Sequence, residues 1–402
     1  MVSVKQANSI VLKQASLIEV ETIPLEHAHG RILRESLICD RPQPAFDKST
    51  MDGIAVSSLA FQKGVRTFNI KGVIPAGIRP GSMKKSDDCF KIMTGAVVPK
   101  GSDAVIPIEC VTITGLKAVV SDVKDLKSGW NIRWKGQHCS KNTVLVNPGC
   151  RLLAHHVATA ASVGKTLIKV SKKPLIAILS TGDELVDIRK KNIKPYHVRL
   201  SNAHGLEALI QGSGLGKTQS FHLADNPKII RQELKKILTR FDVVILSGGV
   251  SMGDFDYVPS VLNELKVRML FHKVSQKPGK PFWFGRNRNG KIVFALPGNP
   301  VSTQMCSYRY VLPFLKKRAG LQDAQQHALL GQDIENTSDL TQFVPVKISF
   351  NPRMQRIAMP VSTGGSGDFA AISQTDGFVE LPSGFQGGLK RAPVSFFSWG
   401  YE

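Results

Sequence analysis

Between about residues 173 and 320, apolar runs of strand length alternate with stretches of helical spacing. PLIAILS (174–180) is an unbroken apolar run, the pattern of a strand buried on both faces. TQSFHLA (218–224), FDVVILS (241–247) and IVFAL (292–296) are further strand candidates. SNAHGLEALIQ (201–211) reads as a helix with Ser201 or Asn202 as its cap. DNPKIIRQELKKIL reads as another, with Asp225 placed to cap and Pro227 tolerable in the first turn. VSTQMCSYRYVLPFLKKRAG closes the segment, and Gly320 sits where a helix would stop. Such alternation predicts a parallel sheet with right-handed crossovers. Ligands of these sheets gather where loops leave the carboxyl ends of strands. Three loops qualify, STGDEL, SGGVSMGDFDY and LPGNPVS, and the topology predicts that they converge.

The flanks are patterned differently. Residues 41–139 carry short alternating pieces, RTFNIKGVI, AVIPIEC and KAVVSDV, broken by Gly and Pro. That pattern predicts a small β module inserted before the α/β segment. After about residue 321, QFVPVKISF, QRIAMPVS and DGFVELP predict a second small β domain.

A chain of 402 residues is long for one core, so two to four domains are expected. Its 42% apolar and 21% charged residues are those of a soluble globular protein. No apolar stretch approaches a membrane span. The amino-terminal residues mix Lys and Gln into their apolar positions, unlike a signal peptide, and a cytoplasmic protein is expected. The six cysteines include no CxxC pair, so neither a zinc site nor a disulfide framework is expected. The net charge of +22 would suit anionic partners. The cations are dispersed, however, without a basic tail or an aromatic-interleaved stripe, so no nucleic-acid partner is expected.

SGGVSMGD places Ser247, Gly248, Gly249 and Ser251 just after a strand, where glycine lets backbone N–H groups turn inward around an oxyanion. The same residues could mark only a tight turn. Asp254 and Asp256 follow directly, and carboxylates beside a phosphate imply a bridging divalent cation, Mg²⁺ being the usual one. Asp183 and Glu184 of STGDEL either cap a following helix or supply a metal ligand or general base to the same crevice. KPGKP sets Lys277 and Lys280 on a turn stiffened by Pro278 and Pro281, a preorganised pair of cations for a tetrahedral oxyanion. LPGNPVS holds Pro297 and Pro300 around Gly298 and Asn299, either to start a helix or to present main-chain groups to a ligand. In the β module, Asp47, Ser49, Asp52, Thr94, Asp103 and Glu109 exceed what turn chemistry alone requires.

FDKSTMDGIAV, IMTGAVVPKGSDAVIPIE, NIRWKG, STGDEL, SGGVSMGDFDYV, KPGKPFWFG and LPGNPVS together resemble the motifs of the molybdopterin molybdenumtransferases, the MoeA proteins, in that family's order. The family is related to the E domain of gephyrin, and GSGDFAAISQTDGFVELPSG resembles its carboxyl-terminal signature. The resemblance implies a multidomain α/β plus β architecture. A discontinuous linking domain would comprise residues 1–40 and 140–172, and an inserted β domain residues 41–139. A doubly wound, mostly parallel α/β domain, similar to that of the molybdopterin adenylyltransferases, would span residues 173–320, and a β barrel residues 321–402. The implied reaction takes adenylylated molybdopterin and molybdate, hydrolyses the adenylate with Mg²⁺, and leaves molybdenum on the dithiolene.

By the same resemblance the chain forms a homodimer whose crevice joins the α/β domain of one subunit to the inserted domain of the other. Asp52 and Thr94 would reach in from the partner subunit, and Asp225 would lie near the nucleotide. Ser247, Gly248, Gly249 and Ser251 would hold the pterin phosphate and AMP, and Lys277 and Lys280 the molybdate. Mg²⁺ would sit between Glu184, Asp256 and phosphate oxygens. A molybdopterin adenylyltransferase is a candidate partner. After NIRWKG the family pattern has Glu-Asp where this chain has Gln137 and His138, and an arginine usual before the terminal domain is absent at SDLTQF. The loss of that carboxylate motivates a second reading, a scaffold that keeps the fold and binds a protein partner.

Overall fold

A computed structural model of the chain describes residues 1–250, 257–385 and 392–400. At its centre is a six-stranded mixed sheet. Its strands are β1 (Leu175–Thr181), β2 (Lys217–Leu223), β3 (Val243–Ser247), β4 (Arg268–His272), β5 (Trp283–Arg286) and β6 (Ile292–Leu296). The order across the sheet is β2-β1-β3-β6-β5-β4. The first four run parallel, while β5 and β4 are antiparallel additions at one edge.

Residue alternation sorts the two faces. Ile176, Ile178, Val243 and Ile245 point into one core, with Leu206, Leu209 and Ile210 of helix α1 (Asn202–Ser213). Ala177, Leu179, Val244 and Leu246 point into the other, with Ile230, Leu234 and Ile237 of helix α2 (Pro227–Arg240). Both faces of β1, β3 and β6 are covered, which is why their sequences are unbroken apolar runs, whereas the edge strand β2 is largely exposed. The first core also takes Val4, Ala7 and Val11 from the amino-terminal helix Val4–Lys13.

Several local expectations need correction. Helix α2 is capped by Asn226, whose side chain accepts the N–H groups of Lys228 and Ile229; Asp225, the residue expected there, instead donates its own N–H to Asp183. Pro227 does occupy the first helical turn. Ser201 stands at the start of α1 without a side-chain capping bond. The carboxyl-terminal helical stretch runs unbroken from Pro300 to Arg318, but not as one α-helix. A turn of π-helix, Ser307–Val311, separates Pro300–Cys306 from Leu312–Arg318, and Pro313, which has no N–H to donate, is the second residue of the last piece. No helix follows STGDEL; the short strand Leu185–Val186 does, so Asp183 and Glu184 are not helix caps.

Residues 53–120 form a second six-stranded sheet, in which Gly53–Val56 lies between Ala104–Pro107 and Asp88–Ile92. This module is joined to the rest through paired strands. Leu37–Ile38 pairs with Val144–Val146, and Val20–Pro24 with Leu167–Ser171. At the other end of the chain, five strands close on themselves into a barrel: Thr341–Phe350, Arg356–Pro360, Gln326–Leu330, Pro393–Ser398, Gly377–Leu381 and back to Thr341–Phe350. A two-residue strand, Gln276–Lys277, docks on this barrel beside Thr341 and Gln342.

Candidate functional site

The loops leaving the carboxyl ends of β1, β3 and β6 converge, as the topology predicts. They enclose a cavity of about 430 Å³. Glu184, Asp225, Ser247, Gly248, Gly249, Pro297 and Pro300 all line it. Asp183 sits behind the rim, its carboxylate accepting the Asp225 N–H at 3.2 Å. Ser251 and Asp256 lie outside the described residues.

The Gly248–Gly249 pair answers to sterics. Both residues have positive φ, +98° and +67°. A Cβ on Gly248 would lie 2.9 Å from the Thr181 carbonyl oxygen, and one on Gly249 would lie 2.9 Å from Thr181 Oγ1. A side chain at either position would therefore be strained by backbone conformation and by contact. The Gly248 N–H is already committed to the Leu296 carbonyl, at 3.2 Å. Any cradle for an anion thus begins at Gly249, one residue later than the sequence suggests.

Beneath the glycines lies a polar floor that the sequence reading did not single out. Asn202 donates both Nδ2 hydrogens, to Ser247 Oγ and to the Gly298 carbonyl, each at 2.7 Å. Thr303 donates to the Pro297 carbonyl at 2.6 Å and lies 3.4 Å from Ser247 Oγ. One side chain thereby ties two of the three loops, those after β3 and β6. Sequence placed Asn202 only as a cap, and nothing local in SNAHG signals a loop clamp.

Five buried side-chain polar atoms among the described residues lack a hydrogen-bond partner, and three of them, Ser180 Oγ, Thr181 Oγ1 and Asn202 Oδ1, belong to residues lining this cavity. Leaving such an atom unpaired costs about 1–3 kcal/mol. Their concentration at one place marks where a polar ligand would be satisfied. Arg199, which is exposed, adds a cation to the wall.

A second cavity, about 570 Å³, adjoins the first and shares Pro281, Pro297 and Asn299 with it. Lys277 and Lys280 line it, both exposed. Their loop is anchored from below. The wholly buried Gln276 donates to the Gly279 carbonyl at 3.2 Å and accepts from Tyr310 at 2.5 Å. Tyr310 stacks into an aromatic core with Phe282, which packs in turn on Phe294. The two lysines therefore project from a fixed base, which lowers the entropy lost on binding an anion. Gln276 is a supporting residue that sequence alone did not reveal.

Asp52 and Thr94 meet each other but line neither cavity. Thr94 gives Asp52 its hydroxyl hydrogen at 2.7 Å and its N–H at 2.6 Å. These bonds, the hydroxyl first, hold the Asp52 carboxyl below the usual carboxylate range. Other acids of the module have structural work. Asp103 accepts the N–H and hydroxyl of Ser58, and Asp47 accepts the Lys135 N–H. Ser49 is buried and donates to the Met51 carbonyl. His138 is exposed, and its backbone N–H is bound to the Gln43 carbonyl at 2.8 Å. No group of three His, Cys, Asp or Glu residues among the described residues could hold a metal ion alone.

Comparison with known proteins covers nearly all of this architecture. Residues 2–164 match the MoeA N-terminal region (domain I and II), 177–317 a probable molybdopterin binding domain, and 327–388 the MoeA C-terminal region (domain IV). A molybdopterin molybdenumtransferase of Synechocystis sp. is 35% identical over 403 residues, spanning 99% of this chain and 100% of that one. The protein of the same name from Staphylococcus epidermidis is 29% identical over 96% of this chain and 93% of its own length. The solved structure of the molybdopterin biosynthesis MoeA protein from Pyrococcus horikoshii superposes with a TM-score of 0.85 at 28% identity, covering 100% of this chain and 99% of that one.

Proposed function

The chain belongs to the MoeA family, and from that premise we propose that its crevice takes adenylylated molybdopterin and molybdate, releases AMP and leaves molybdenum on the dithiolene. The activity is that of a transferase in molybdenum cofactor biosynthesis. The observation that carries this reading is the set of three unpaired buried polar atoms, from Ser180, Thr181 and Asn202, at the meeting point of the glycine loops. A phosphorylated ligand supplies acceptor oxygens for the hydroxyls and displaces water from the floor.

In the proposed arrangement the phosphates lie against the Gly249 turn, with Arg199 offsetting their charge. Ser247, held by Asn202, fixes the ligand's depth. Lys277 and Lys280 face the neighbouring cavity, where a tetrahedral dianion such as molybdate meets two preorganised cations. The bond from the adenylyl phosphorus to the pterin phosphate oxygen breaks, a water supplies the new oxygen, and AMP departs. The oxygen-only donor set near Glu184 and Asp225 suits Mg²⁺, which keeps few protein ligands and completes its shell with phosphate and water. Glu184 and Asp256 would hold that ion, and when bound it would neutralise charge on the phosphate oxygens.

The Asp52–Thr94 pair lies away from both cavities of its own chain, which supports a homodimer in which it completes the partner's crevice. His138 is the main support for a scaffold, and relatives aligned end to end carry the transferase name instead. An adenylyltransferase is the reaction class that must supply the ligand. Purified protein mixed with adenylylated molybdopterin, molybdate and Mg²⁺ is expected to release AMP, with His138→Asp no more than modestly faster. Absence of AMP beside an active relative would overturn the proposal.

A further inference from the structure

Cys39 and Cys139 stand 100 residues apart in the chain, yet their Sγ atoms are 3.0 Å apart. The chain leaves the strand Leu37–Ile38 through Cys39, enters the inserted module, and returns through Cys139 towards Val144–Val146, the strand that pairs with Leu37–Ile38. The two sulfurs thus face each other where the module's two connections run side by side. Backbone bonds hold them there. The Cys39 N–H donates to the Thr143 carbonyl at 2.9 Å, and Gln43 and Cys139 exchange N–H···O bonds at 2.9 and 3.2 Å. Cys39 is wholly buried, whereas Cys139 is partly exposed.

We propose that Cys39 and Cys139 form a reversible thiol–disulfide site that takes its oxidising equivalents from a small hydroperoxide and staples the base of the inserted module. Sulfurs in a disulfide lie about 2 Å apart, so closing this pair needs a movement of only about 1 Å. Cys139, the less buried of the two residues, attacks as its thiolate. It takes one peroxide oxygen, breaking the O–O bond, and becomes a sulfenic acid while hydroxide leaves and is protonated to water. Cys39 then loses its proton and attacks the Cys139 sulfur; the S–O bond breaks and a second water departs. The sum is two thiols and one hydrogen peroxide giving one disulfide and two waters. The hydrogen bond to Cys139 and burial both raise Cys39 above the usual thiol range, which suits it to resolve rather than to initiate. Cys89 and Cys306 are buried and pushed up to about 12, so they stay thiols under the same conditions.

The staple closes the 100-residue loop that carries Asp52 and Thr94. Its effect is to restrict the unfolded chain and to limit the swing of the module about its two connections. This inference does not depend on the reaction proposed above, because its readouts are thiol counts and melting.

The reduced full-length protein, exposed to dilute hydrogen peroxide and mapped without reductant, is expected to fall from six titratable thiols to four. A single linked peptide should join Cys39 to Cys139, dithiothreitol should restore all thiols, and Tm should rise by roughly 5–10 °C on oxidation. Cys39→Ser is expected to stop at a sulfenic acid on Cys139 that dimedone tags. Should that buried substitution prevent folding, Cys139→Ser, at a partly exposed position, carries the test and should keep its five remaining thiols. Six thiols persisting after peroxide, or a disulfide forming in equal yield in Cys139→Ser, would overturn the assignment.

Discussion

Thr181 carries a hydroxyl that is left without a partner among the described residues, at the lip of the crevice and against the glycine turn. Replacing it by the isosteric Val removes an unsatisfied polar atom, so stability should hold or rise by about 0.5–1 kcal/mol. The same change should weaken adenylylated molybdopterin about 5- to 30-fold, the equivalent of roughly 1–2 kcal/mol. Calorimetric titration beside thermal melting checks both; equal affinity in the two proteins would remove the hydroxyl from the ligand's shell. Asp52 offers a second test at this scale. Its carboxyl is depressed by the Thr94 hydroxyl and N–H, so it stays charged at neutral pH and protonates only as pH falls through its lowered value. In Thr94→Val the Asp52 titration followed by carboxyl NMR should move up towards the ordinary carboxylate range. An unmoved midpoint would mean that the hydroxyl does not set it. Sequence reading identified Glu184, Ser247 and both glycines because strand ends and φ > 0 positions have local signatures. Ser180, Thr181 and Asn202 escaped it, since their roles arise from contacts between loops far apart in the chain.

Helix α2 shows how a short shift in a cap changes a site. Asn226 accepts two N–H groups of the first turn, so Asn226→Ala should cost about 1 kcal/mol in denaturant unfolding, with Asn226→Ser, which can still cap, closer to neutral. Equal losses from the two changes would contradict the assignment. Two adjacent cap-forming residues, Asp225 and Asn226, are indistinguishable by propensity, and only the backbone decides. The parallel strands β1, β3 and β6 were legible because both of their faces are buried. β4 and β5 were not, because RMLFH is half-exposed with Arg and His at its ends and PFWFG adjoins a proline-rich turn that masks its strand character. The π turn at Ser307–Val311 likewise has no signature except the proline that follows.

Closure of the carboxyl-terminal barrel depends on pairing between Thr341–Phe350 and Gly377–Leu381, a long-range register that alternating patterns suggest without fixing. The same limit applies to the relation between the two halves of the proposed active site. Asp52 and Thr94 are legible as chemistry, yet one chain keeps them apart from the crevice of Glu184 and Ser247. The proposed two-fold dimer would resolve the separation by pairing each crevice with the other subunit's module. Subunit mixing tests that central claim most directly. Asp52→Asn and Glu184→Gln homodimers should each release little AMP, whereas mixed dimers should recover about half the wild-type rate, because one of their two sites is then intact. Mixed dimers as inactive as either parent would contradict the composite site.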